Sequence, residues 1–265
     1  MLTMLSLLLL ARSISHPGVH VFDHWLDSTL AAIGYSTVGA VIAPRTPSDN
    51  PIGWLFCVVG LLFALTHFVA EYAIYTLLAA PGSLLPAGEA AAWLTSWLWI
   101  PQIGSVLLVI LLFPDGQLPS RGWRWFAWLS VLLMLVGALL SAISPGPIIA
   151  LGPIHNPLAL VESLPSAYKI VELVVNTLML VAVISLFIRL RRAEEQERQQ
   201  IKWFVYAIAL AIGGAVLTFP VSEAIGSVSL KWISFVPFIV GVMSIPISMG
   251  IAILRYRLYA IGSMR

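Results

Sequence analysis

Residues 52–78 read IGWLFCVVGLLFALTHFVAEYAIYTLL, with one carboxylate, Glu71, one imidazole, His67, and no Lys or Arg. A helix rises about 1.5 Å per residue, so a run of this length more than crosses the roughly 30 Å hydrocarbon core of a bilayer. The run lacks the alternation of a strand. Lipid also offers no partner to an exposed backbone N–H or C=O, so a single spanning segment must be helical. Comparable runs lie at about 25–43, 91–113, 124–144, 167–189, 201–221 and 231–254. The run at 25–43 is the least apolar, with Asp27 near its start and Gly34 and Gly39 within it.

The composition agrees. Of 265 residues, 60% are apolar and 10% are charged, against about 25% charged in a soluble domain. The expected fold is therefore all-α: a polytopic membrane helix bundle of seven transmembrane helices over residues 25–259. It is preceded by a short N-terminal segment, 1–24, and followed by a tail, 260–265. The opening MLTMLSLLLLARS holds about ten apolar-rich residues, or about 15 Å of helix, half a membrane. It lacks the basic start and small-residue cleavage site of a signal peptide, and reads as a truncated or interfacial helix. The single cysteine, Cys57, lies inside an apolar run, where it can form no intramolecular disulfide and suggests no metal site.

Lys and Arg accumulate on the cytoplasmic side of membrane proteins. With seven spans, one side receives Arg45, Arg121, Arg124, Arg189, Arg191, Arg192, Arg198, Lys202, Arg255, Arg257 and Arg265. The other receives Arg12, Lys169 and Lys231. This places the C-terminus in the cytoplasm and the protein in the cell membrane. The ten tryptophans fall near the expected ends of the spans, where amphipathic rings settle. The formal charge of +2 belongs to these loops and does not mark a nucleic-acid surface.

Two loops stand out. FPDGQLPSRGWRW (113–125) is rich in turn formers and reads as a rigid turn with Arg121 and Arg124 facing the anionic inner leaflet. Asp115 has no catalytic partner in its vicinity. RLRRAEEQERQQIKW (189–203) is the most charged stretch. There Arg191–Glu195 and Glu194–Arg198 are spaced to pair along a helix. The simplest reading is two membrane helices that protrude into the cytoplasm and meet at a charged junction; the alternative is a docking surface for a partner, with Arg191 and Arg192 in it.

The segments NPIGWLF (50–56), LLFPDGQLPS (111–120), ERQQIKWF (197–204) and GIAILRYRLY (250–259) occur in an order and spacing that resembles the N-terminal multi-span membrane domain of bacterial sensor histidine kinases of the actinobacterial and Chloroflexi type. The resemblance covers roughly residues 30 to 259. It implies an input domain whose last helix drives a cytoplasmic output, with Arg255 and Arg257 anchoring that helix at the inner surface. Ala260 and Gly262 stand where an acidic linker is expected. The sequence carries neither a phosphoacceptor-histidine motif nor a glycine-rich ATP lid, so the resemblance extends to the sensor and not to the kinase core.

Ionisable residues inside spans are costly and are default functional candidates. His67, Glu71 and Tyr75 repeat at i, i+4, i+8 on one helix face, as do Tyr168, Glu172 and Asn176. Both acids sit about 10 Å from the outer ends of their spans. Trp93, Trp97 and Gln102 enter from the third span, and Ser222 and Glu223 close the sixth. One reading is an outward-facing polar pocket that senses a small molecule, a cation, pH or the state of the envelope. The other is groups that snorkel outward or satisfy one another. Pro101, Pro237 and Pro246 are candidate kinks. Ala207, Ala211 and Ala215 form a small-residue stripe for close packing.

The expected function is a sensory, signal-transduction module. Its partners are the bilayer and either a second copy or a separate cytoplasmic kinase, with no cofactor, no metal and no nucleic acid. A transporter or channel component ranks second, because no acid or base lies at mid-membrane depth. An enzyme ranks third. The one serine motif considered, GYSTVG (34–39), lacks the spacing and the partner base of a nucleophile elbow.

Overall fold

The computed structural model describes residues 1–16, 18–19, 22, 24–45, 50–160, 168–193, 195–224 and 236–262. Side chains are described for these except 149, 195–197, 200, 215–224 and 251–262. Eight helices are described: α1 (Leu2–Ile14), α2 (Trp25–Ile42), α3 (Ile52–Ile74), α4 (Gly88–Leu112), α5 (Arg121–Ile143), α6 (Tyr168–Arg192), α7 (Glu195–Ala224) and α8 (Val236–Gly262). The protein is all-α, with no strand among the described residues.

Five helices are long and apolar enough to cross a membrane: α2 with the turn after it, α3 with its π-helical extension Tyr75–Ala79, α4, α5 and α6. The described apolar stretches of α7 and α8 are shorter, Ile201–Gly214 and Val236–Gly250. At 13 residues, α1 is about 20 Å long. Pro101 and Pro246 lie inside α4 and α8. Pro237 lies at the start of the described part of α8, and the residues before Val236 lie outside the described ones.

The chain divides into two compact units. The first comprises Met1–Ala32, Val58–Leu108 and Gly122–Leu180. Its core gathers Phe22, Val69, Ala70, Ala73, Ile74, Ala91, Ala92, Leu98, Ile148 and Leu151. The last carbonyls of α5 have no partner within their helix. Here Asn156 Nδ2 donates to the carbonyls of Ala142 and Ser144 at 3.0 and 2.8 Å, and Trp93 Nε1 donates to Ala142 at 3.0 Å. The segment after α5 is thereby folded back onto the helix end. On α5, Trp125, Trp128, Leu132, Leu135 and Leu139 are exposed. They recur every three or four residues and so form one apolar face, as a helix in contact with lipid tails requires.

The second unit comprises Ile33–Cys57, Val109–Arg121 and Val181–Arg265. Glycine sets its closest approaches. A Cβ on Gly53 would lie 2.5 Å from the backbone of Ala43, and one on Gly39 would lie 2.7 Å from the Cys57 nitrogen. The ends of α2 and α3 therefore touch backbone to backbone, with the Tyr35 and Phe56 rings packed 5.3 Å apart beside them. The same device joins α7 to α8. Gly241 faces Ala211, Gly214 faces Pro237, and Ser244 Oγ lies 3.3 Å from the Ala207 carbonyl. The Ala207–Ala211 stripe is thus used inside the bundle.

Candidate functional site

His67 and Glu71 are one turn apart on α3, and each is 0% exposed. His67 Nε2 lies 3.9 Å from Glu71 Oε1, too far for a hydrogen bond. Neither carboxylate oxygen nor Nε2 has a hydrogen-bond partner. The backbone N–H of Phe22 lies near the carboxylate, and the Phe22 ring stacks on the imidazole at 6.0 Å.

The other ring nitrogen is held. Thr29 on α2 donates its hydroxyl hydrogen to the Trp25 carbonyl at 2.7 Å, and its oxygen lies 3.2 Å from His67 Nδ1. A hydroxyl has one hydrogen to give, and it is committed to Trp25. The contact to His67 therefore runs from Nδ1–H to the threonine oxygen. This network assigns the Nδ1–H tautomer and leaves Nε2 as an acceptor directed at Glu71. Nearby in sequence, Thr66 is buried without a partner, as are Trp97 Nε1 and Gln102 Oε1 on α4. In the same unit, His24 Nδ1 and Asp27 Oδ2 form a half-buried pair at 3.4 Å.

The remaining candidates are placed differently. Tyr75 is half-buried at the start of the π-helical turn. On α6, Glu172 and Asn176 are exposed, and the half-buried Tyr168 ring packs 5.7 Å from Trp99. Equal spacing in sequence thus gives one stripe turned inward and one turned outward. The side chains of Ser222, Glu223, Arg255, Arg257 and Glu195, and the whole of Glu194, lie outside the described residues. Arg191 and Arg192 are exposed at the end of α6. Among the described residues no three His, Cys, Asp or Glu side chains gather as a metal site would require.

A second constellation, in the second unit, escaped the sequence reading. Arg189 is 7% exposed although it is a full positive charge near a helix end. Its Nη1 donates to the Phe113 carbonyl at 2.6 Å and to Asp115 Oδ1 at 3.1 Å, and its Nη2 donates to the carbonyls of Leu111, at 3.2 Å, and Gln117. The guanidinium thus caps the C-terminus of α4, where orphan carbonyls and the helix dipole favour a cation. The loop it holds rests on the start of α3. Asn50 Oδ1 accepts the Ile52 N–H at 3.0 Å, Asn50 Nδ2 lies 3.4 Å from the Pro114 carbonyl, and Gly116, at φ +79°, packs against Asn50 and Pro51. Phe113 packs on Phe204 of α7 at 4.6 Å. Residues from NPIGWLF, LLFPDGQLPS and ERQQIKWF therefore meet in one cluster around Arg189. The only advance signal was that Arg189 opens the charged stretch 189–203.

Comparison of the chain with protein-family models, with curated proteins and with solved structures gives no match.

Proposed function

We propose that this protein is a membrane-embedded sensory input module. It threads the cell membrane seven times, with α7 and α8 as the sixth and seventh spans, and its C-terminus lies in the cytoplasm. It passes a signal to a histidine kinase or similar output that is carried by a partner chain or follows in a longer one. The observation that carries this reading is the His67–Glu71 pair. A carboxyl and an imidazole, both fully buried, sit in apolar surroundings with their facing atoms unpartnered. Burying such groups costs stability, and a purely structural bundle gains nothing from them. A site whose occupancy changes the packing of α3 against α2 does gain.

The sequence resemblance supports the direction of the signal, and the Arg189 cluster of the second unit adds to that resemblance. Three of the four recurring segments meet there, so their order along the chain corresponds to one physical assembly.

The test is a fusion of a histidine kinase core after Arg265, reconstituted in lipid, with autophosphorylation followed while conditions on the outer face are varied. The reading expects a stimulus-dependent output that Glu71→Gln alters without changing the amount of inserted protein. Equal output from wild type and variant under every condition contradicts it.

A further inference from the structure

We propose that His67 and Glu71 together form a binding site for a single proton, and that this proton is the stimulus; the second half rests on the sensory reading above. The geometry leaves one atom pair to explain. With Nδ1–H given to Thr29, Nε2 presents a lone pair, and Glu71 Oε1 faces it at 3.9 Å. With no proton between them, a lone pair confronts an anion that has only the nearby Phe22 N–H to favour it, and a buried carboxylate without a cationic partner costs several kcal/mol. With one proton on the carboxyl, its O–H faces the Nε2 acceptor, two neutral groups replace an anion in the core, and rotation of the glutamate side chain closes the gap to a hydrogen bond. The site is complementary to one positive hydrogen and to little else.

Other occupants fit less well. A transition-metal ion takes about four donors, and no third His, Cys, Asp or Glu joins the pair among the described residues. An organic ligand needs an opening, and neither side chain is exposed.

The other titratable groups on the neighbouring elements are few. Asp27 on α2 and His24 before it are paired with each other, and His24 meets the edge of the Phe22 ring at 5.8 Å. On α4, Glu89 is exposed at the start, and no ionisable residue follows it in that helix. On α3 itself, the half-buried Tyr72 donates its hydroxyl to the Pro86 carbonyl, and Tyr75 lies in the turn beyond. His155, in the segment that follows α5, is exposed with Nδ1 3.1 Å from the Pro153 carbonyl. Arg12 on α1 is exposed. None of these is recorded in contact with Nε2 or the carboxylate, and His20 and Asp23, on either side of Phe22, lie outside the described residues, so among the described side chains the proton is held by the pair alone.

Proton release would drive the imidazole and carboxylate apart. Through Nδ1–H and Thr29 this strains the contact between α3 and α2. Glu71→Gln replaces the acid with an amide whose N–H can donate to Nε2. It should therefore mimic the proton-bound state and fix the output at its acid level at every pH.

The test uses the full chain in lipid nanodiscs. Infrared difference spectra between acid and alkaline buffer should show a protonated carboxylic acid band that exchanges slowly in D2O. The band should be absent in Glu71→Gln and shifted in His67→Gln; because it is read first on the unaltered protein, it does not depend on either variant folding. The kinase fusion should respond to outer pH, and Glu71→Gln should abolish that response. Absence of the band across the pH range of the folded protein overturns the proton site, as does one tightly held metal ion per chain that is lost in Glu71→Gln; the sensory reading survives both. A band that titrates while the fusion ignores pH overturns the proton as stimulus, and removes from the sensory reading the site on which it stands.

Discussion

Replacing Arg189 distinguishes an ion pair from a helix cap. Arg189→Met keeps most of the apolar stem and removes the guanidinium. The carbonyls of Phe113 and Leu111, in residues 0% exposed, then lose their donor. A buried acceptor left unsatisfied costs about 1–3 kcal/mol, so the two together give about 2–6 kcal/mol. The Asp115 side chain is 54% exposed, and an ion pair so open to water adds at most about 1 kcal/mol. Asp115→Asn, which keeps an oxygen for the Gln117 N–H that now bonds Asp115 Oδ1 at 3.1 Å, should cost no more than that. Arg189→Lys should fall between the two, because a single ammonium cannot span the carbonyls that the planar fork reaches. The assay is equilibrium unfolding of the purified chain in mixed micelles, with proteolysis at 113–121 as a local readout. Asp115→Asn as damaging as Arg189→Met would refute the cap, and so would an Arg189→Met protein within about 0.5 kcal/mol of wild type.

Three further outcomes follow from the packing. Gly241→Ala places a Cβ 2.3 Å from the Ala211 Cα, and backbone cannot yield as a side chain can, so it should destabilise by at least about 1–3 kcal/mol in the same unfolding assay. Gly213→Ala, one helix away with nothing within 4 Å of the new Cβ, should be neutral or stabilise by up to about 1 kcal/mol; equal effects at the two positions would contradict the α7–α8 contact. Asn50→Ala removes the acceptor for the Ile52 N–H and should cost about 1 kcal/mol, read as a shift of the unfolding midpoint; no shift would mean that water replaces the cap.

The helices at 25–42, 52–79, 88–112, 121–143 and 168–192 were legible because a twenty-residue apolar run has one acceptable backbone in lipid, and composition reveals it. Helix orientation about its own axis was not. The stripes His67–Glu71–Tyr75 and Tyr168–Glu172–Asn176 have the same spacing, yet the first two residues of one are buried while the acid and amide of the other are exposed. Periodicity places residues on a common face but cannot say what the face meets. Thr29, which fixes the histidine tautomer, lies 38 residues from His67, and Arg189 reaches a loop 72 to 78 residues earlier. Such partners are chosen by tertiary packing, and no local pattern announces them.

The proposed relay from an outer site to an inner effector requires that the chain end inside the cell. Paired fusions at Arg265, one to a fluorescent protein that matures in the cytoplasm and one to a phosphatase active only outside, measure this directly. The account predicts fluorescence without phosphatase activity. An active phosphatase with a dark fluorescent partner would put the tail outside and contradict the relay at its foundation.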